Sequence, residues 1–410
     1  MSRCSDRTTY HERDLVLPLR HARALTAARL LLRRTSIALS RARSASVVAL
    51  SLGIAECTDA SAVPSSDVRS GAAPSDTARP MGDSATSRAS GGTAESTPAS
   101  PTATAGTADR TPNELGRIPI VEWHQVVDAD GTYKVSRERF KAELEELHAR
   151  GYVPINLSEY LDRKIDLPAG KSPVLFTFDD ASPSQFSYIE RGGALVVDPR
   201  SALGILEAFL ATHKDWQPKG LFCVLPAAEA GHAFFGNKGI DGQKTEWRSP
   251  KLQYLVKSGY ELCNHTLWHA RLDKYSEAVI QEQLARTVQA VDSAVPGYTL
   301  RGLALPYGLW PKNKALAYSG SWFDKKAKKD IRYKHEAVFL VAGGPARSPY
   351  DPEFDARKLP RVPLQGGTKL KPTLDEMDKN GAMARYVSDG NPKTVAKPAP
   401  KVAAEPAAKK

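Results

Sequence analysis

The chain has 410 residues, enough for one large domain or two ordinary ones, with 57 basic against 46 acidic side chains and a formal charge of +11. The excess sits at the ends: residues 1–50 carry ten Arg against Asp6, Glu12 and Asp14, and residues 391–410 carry five Lys against Glu405, so the remaining 340 residues sum to zero. The body of the chain thus has no net attraction for a phosphate backbone, which excludes nucleic acid as its partner.

Arg33, Arg34, Arg41 and Arg43 precede an apolar run, 45–55, too short to span a bilayer comfortably. Ala60-Ser61-Ala62 follows as an A-x-A cleavage site, so 1–62 is predicted to be an export signal or a membrane anchor. The expected location is extracellular, cell-wall associated or membrane-anchored. Lipid modification at Cys57, after an ill-suited Glu56, and a plain disordered basic tail are the alternatives. Residues 63–112 hold no aromatic side chain and are dominated by Ser, Thr, Ala, Pro, Gly and Asp, a composition that cannot bury enough apolar surface to offset its ordering entropy. They are predicted to be a disordered linker, and the Lys/Pro/Ala tail over 388–410 is read the same way. The body between them, 113–387, holds all six Trp and has the size of a single α/β domain, expected to be a monomer.

Along that body strands alternate with helices. "RIPIVEW" (117–123) reads as a strand, and Ser136 caps a helix whose Phe140, Leu144 and Leu147 form one stripe up to Gly151. "PVLFTF" (173–178) reads as a strand buried on both faces, and 201–213 as a helix with Leu203, Leu206 and Leu210 on one side. "GLFCVLP" (220–226) is a strand, Ser249-Pro250 opens a short helix ending at Gly259, and "YELC" (260–263) is a strand. Ser276 starts a helix, and 298–306 and 336–344 read as later strands. This alternation implies a parallel sheet, open or closed into a barrel, with its site at the carboxyl ends of the strands. Cys223 and Cys263 both fall in strands, where a disulfide and a pair of buried thiols remain open.

Four polar groups stand at those strand ends: His124, Asp179-Asp180, "NHTLWH" (264–269) and "LPYG" (305–308). Two adjacent carboxylates at the end of an apolar strand cost free energy unless something offsets one of them, and a metal ion does so. His265 and His269 stand four apart, so a helical turn would bring both imidazoles to one ion. Two His nitrogens and one Asp oxygen leave a coordination position open, as in a catalytic zinc site that activates water. Asp180 is assigned to the metal and Asp179 to the general base. Two surface Asp capping a loop, with structural histidines, is the alternative.

"TFDD", "HTLWH" and "LPYG", in that order, resemble the polysaccharide deacetylases of carbohydrate esterase family 4, the NodB-homology domains, and the resemblance covers roughly 116–366. It implies a distorted (β/α) barrel. It also implies a hydrolase that removes N-acetyl, or less commonly O-acetyl, groups from a polysaccharide, with Asp179 as base and Asp180, His265 and His269 on a divalent metal. Zn²⁺ is expected there, and Co²⁺ or Ni²⁺ also suit His₂Asp. The backbone N–H of Tyr307 would face the oxyanion.

The chain departs from the family in two places. Ala304 stands where many members have an Arg that orients the base, and Arg361 in "LPRVPL" or Arg301 would replace it. The late Leu-x-His motif that supplies the general acid is absent, leaving His124 as candidate acid, a packed core His being the alternative; His335 reads as structural. Phe234, Phe235, Trp247, Trp310 and Trp322 are candidates either for stacking on sugar rings or for the core. Two further functional readings compete: a degenerate member that binds glycan without turnover, and a hydrolase of small cyclic amides or imides.

Overall fold

The structure is a computed structural model that describes residues 110–398 apart from 229–231, 238 and 380. The export segment and nearly all of the linker expected over 1–112 lie outside the described residues. Eight strands form one sheet: β1 Ile120–Trp123, β2 Tyr152–Pro154, β3 Ser172–Phe178, β4 Leu221–Val224, β5 Glu261–Asn264, β6 Gly302–Ala304, β7 Ala337–Phe339 and β8 Val362–Pro363. Their order is β7-β6-β5-β4-β3-β1-β8, with β2 paired to the first half of β3, and every pairing is parallel.

The two edges of this sheet meet. Leu359 exchanges backbone hydrogen bonds with Val338 and Leu340 beside β7, and three residues on Val362 pairs with Val121 of β1. One short segment therefore closes the sheet on itself, giving the distorted (β/α) barrel that the resemblance implies; the alternation alone left the sheet open or closed. Burial explains the strand composition. All seven residues of β3 and all four of β1, β4 and β7-flanking neighbours such as Leu303 are covered on both faces, so the strands read as near-continuous apolar runs.

The connecting helices follow their caps. Ser136 accepts from the Arg139 N–H at the head of Arg137–Ala149, Ser201 from Gly204 at the head of Ala202–Thr212, and Ser276 from Val279 at the head of Glu277–Ala294. Helix Arg248–Lys257 and the late helix Leu370–Met377 complete the outer layer.

Two hairpins stand outside the barrel: Tyr188–Arg191 with Ala194–Val197, and Ser319–Asp324 with Lys329–Lys334. The tail differs from expectation over 388–398. Ser388 Oγ donates to Leu167 O, and the backbone of Ala396 bonds Glu114 both through its carbonyl and through its N–H. Those backbone partners pin a Pro/Lys-rich segment that has no core of its own. Cys223 and Cys263 sit opposite one another in register on β4 and β5, and their sulfurs are bonded.

Candidate active site

The apolar run of β3 carries the chain to the rim, where Asp179 N–H still donates to Trp123 O as the last rung of the β1–β3 ladder. There the backbone leaves the sheet through two left-handed residues, Asp180 (φ 77°) and Ala181 (φ 49°). Gln185 secures the turn by donating to His124 O and to Asp179 O, and Phe235 N–H donates to Ala181 O. The doublet is thereby split. Asp179 is buried, and Asp180 faces the opening with its side chain 19% exposed.

After β5 the His segment does not form the helical turn predicted from the four-residue spacing. Thr266 (φ 66°) and His269 (φ 62°) reverse the chain locally, with Asn264 Oδ1 accepting from Thr266 N–H and Thr266 Oγ1 from Ala270 N–H. The two imidazoles nonetheless come together beside Asp180. His265 Nδ1 donates to Ala304 O at 2.9 Å, which turns Nε2 to Asp180 Oδ1 at 3.1 Å; His269 Nε2 lies 3.4 Å from the same oxygen. One donor atom from each of Asp180, His265 and His269 falls within 4.8 Å of the others. Strained backbone gathers here: Asp180, Ala181, Thr266, His269 and Tyr307 (φ 59°) all hold positive φ without being glycine.

The donor chemistry fits a divalent ion. His265 has its outer nitrogen fixed by a carbonyl, the usual way a ligating imidazole is oriented. Burial and the neighbouring His265 push His269 down to about 4, so its imidazole is neutral near pH 7, the form that ligates. Against burial, the hydrogen bond and charge of His265 hold the Asp180 carboxyl well below the usual range, so it is ionised.

Asp179 belongs to a separate, buried ion cluster. Arg361, fully buried just before β8, donates Nη1 to Asp179 Oδ1 at 2.9 Å and Nη2 to Oδ2 at 2.7 Å. Its Nε donates to Leu340 O at 2.7 Å. Of the two candidates to replace the missing Arg at Ala304, Arg361 is therefore the one on Asp179; Arg301 pairs with Glu336 and Asp162 instead. Against burial, the Arg361 guanidinium holds the Asp179 carboxyl below the ordinary range.

The sequence reading missed the third member of this cluster. Glu122, buried on β1 in register with Thr177, lies 3.1 Å from Arg361 Nη2 and 3.5 Å from His124 Nε2. Burial pushes its carboxyl up, and the adjacent Asp179 adds to that. The available signal was a lone Glu inside the apolar strand "IVEW".

His124 is buried against Glu122, 5.2 Å ring to ring from exposed Tyr133, and groups with Glu122 and Asp179 rather than with the Asp180 donor set. Tyr307 is 56% exposed with its ring 4.4 Å from that of His269. His335 is buried, with Ala317 O accepting from its ring, as a structural residue should be. Phe234, Phe235 and Trp247 are buried, and Trp310 and Trp322 pack half-buried on a second apolar cluster.

This geometry defines a barrel with a His₂Asp donor set at its carboxyl rim beside an arginine-held carboxylate. The polysaccharide deacetylase family model matches residues 215–320, a stretch that includes His265, His269 and Tyr307. That stretch, about a quarter of the chain, is similar to the polysaccharide deacetylases, the family that the motifs resemble. A chitooligosaccharide deacetylase of Sinorhizobium fredii is 26% identical over 117 residues, covering 27% of this chain and 52% of that protein. A second, from Bradyrhizobium, is 29% identical over 62 residues, covering 15% and 28%. The chain thus spans about half or less of the curated relatives it matches. Among solved structures, the Streptococcus pyogenes deacetylase PplD in complex with acetate has 16% identity and a TM-score of 0.46, covering 66% of this chain and 100% of that one. IcaB from Ammonifex degensii has 20% identity and a TM-score of 0.43, covering 67% and 100%.

Proposed function

We propose that this protein is a metal-dependent hydrolase that removes acetyl groups from an N-acetylated extracellular or cell-wall polysaccharide, O-acetyl groups being the secondary substrate. The observation that carries this reading is the convergence of Asp180, His265 and His269 beside an Asp179 that is kept off them by Arg361. Asp180, His265 and His269 would hold a divalent ion, Zn²⁺ first, which would supply Lewis acidity at the acetyl carbonyl and acidify water. Asp179, ionised and fixed in orientation by two hydrogen bonds, takes the proton from the attacking water. The water oxygen bonds to the acetyl carbon, the Tyr307 N–H faces the oxyanion, and the carbon–nitrogen bond breaks. The proton that Asp179 took passes through His124 to the departing amine, which leaves Asp179 ionised again, and acetic acid departs and ionises to acetate in water.

The reading of 1–62 as an export signal or membrane anchor is the support for a location beyond the membrane, and the protein is proposed to act as a monomer. A second reading, glycan binding without turnover, gains support from one observation: both Asp179 oxygens are already engaged by Arg361. Acetate release from chitin oligomers, poly-N-acetylglucosamine, peptidoglycan and acetylated xylan separates the two. Release that stops on chelation supports the deacetylase, and metal binding with no release from any of the four supports the binder.

A further inference from the structure

The Ser319–Asp324/Lys329–Lys334 hairpin takes no part in the site described above. It lies along helix Glu277–Ala294, with Ser321 N–H donating to Gln281 Oε1 and Gln289 Nε2 to Asp324 Oδ2. Ile331 and Tyr333 face inward and are buried, so the ribbon is fixed to the body and its other face is displayed. That face and the turn carry Lys325, Lys326, Lys328, Lys329, Arg332 and Lys334, all exposed, against Asp324 and Asp330.

The six hairpin cations differ from the paired arginines of the body. Arg137, Arg139, Arg150, Arg301, Arg361 and Arg385 all pair with carboxylates, whereas none of these six makes an ion pair within 4.0 Å among the described residues. The nearby carboxylates are occupied elsewhere: Asp324 by Gln289 and by the backbone N–H groups of Lys326 and Ala327, and Glu336 by Arg301. Phe323 projects on the same outward face and is 52% exposed.

We propose that this hairpin is a docking surface for an anionic lipid membrane. Its cations are spread along strands of six residues, about 20 Å of ribbon. Such a spread matches an extended negative surface, not a single small anion. The phenyl ring beside them favours a bilayer over a soluble polyanion, because aromatic side chains settle at the headgroup level. No helix among the described residues is long and apolar enough to cross a membrane. The hairpin contact would hold the barrel against the surface independently of the residues that handle the acetyl group.

The test is co-sedimentation of the full chain with vesicles of equal parts phosphatidylcholine and phosphatidylglycerol, and with phosphatidylcholine alone. The comparison is with a variant carrying Lys325→Ser, Lys326→Ser, Lys329→Ser and Lys328→Asn, the Asn tolerating the left-handed φ of 51° there. The basic chain ends are the same in both proteins, so the difference reads the hairpin. Each lysine near an anionic surface contributes roughly fivefold in affinity, so the variant should bind roughly a hundredfold or more weakly, and salt should weaken the wild type. Phe323→Ser should weaken binding without abolishing its salt dependence. Unchanged thermal unfolding and acetate release would show that the variant is folded and that the two activities are separate. Equal binding by wild type and variant overturns the proposal, as does equal binding to neutral vesicles. Preference for dextran sulfate over vesicles, or no effect of Phe323→Ser, would also overturn it.

Discussion

Arg361 and Asp179, 182 residues apart, form a two-pronged ion pair with no solvent exposure at the guanidinium, and the same guanidinium reaches Glu122 at 3.1 Å. The segment that closes the barrel therefore also fixes the candidate base. Arg361→Met should strand two buried carboxylates and cost about 3–5 kcal/mol of stability in urea unfolding. Arg361→Lys should recover little of it, since an ammonium cannot reproduce the two parallel hydrogen bonds.

Loss of any one of Asp180, His265 and His269 should remove the metal. Asp180→Asn, His265→Ala and His269→Ala are each expected to lower Zn²⁺ affinity by more than the roughly hundredfold that an outer partner is worth. Calorimetric titration against a wild type binding one ion per chain checks this. Wild-type affinity retained in His265→Ala would remove that residue from the ligand set.

The Cys223–Cys263 bond joins β4 and β5 directly below His265, closing a loop of 40 residues. On the chain-entropy account such a closure stabilises by about 4 kcal/mol. Reduction, or the double Cys→Ala variant, should lower the urea midpoint by a comparable free energy and should loosen the strand that presents His265.

Lys251 is a buried cation away from the site, donating to Phe235 O at 2.5 Å and Gln243 Oε1 at 2.7 Å. Burial pushes its ammonium down to about 7. Its folded-state value thus lies below that of an unfolded lysine, about 10.4. Below about 7 both states carry the proton and the full penalty of burial remains; between there and about 10.4 the unfolded state binds more protons, so stability rises with pH. Wild type should gain on the order of 1 kcal/mol per pH unit in that window, and Lys251→Met should flatten the rise.

The parts of the molecule that were legible in the sequence are those set by local pattern. The continuous apolar run of β3, the Ser caps at 136, 201 and 276, and the Asp and His residues at the strand ends each announce themselves within a few positions. The His segment was legible in its result but not in its path, because spacing gives no hint of left-handed Thr266 and His269. Arg361 could be shortlisted but not chosen, since the choice depends on a barrel closure that brings 361 beside 179. Glu122 was missed because a buried charge becomes intelligible only once its partners are in place. The Ser319–Lys334 hairpin was missed because its lysine-rich turn hides the alternation of Ile331 and Tyr333.

The central claim is that Asp179 drives acetyl hydrolysis beside a metal held by other residues. Its most direct test is acetate release from chitin oligomers by the Zn²⁺-loaded full chain, wild type against Asp179→Asn. The account predicts release by the wild type and a fall of about 10²–10⁴-fold in the variant, with one ion per chain still bound by both. Equal release by the two proteins, or none by a metal-loaded wild type, would contradict it.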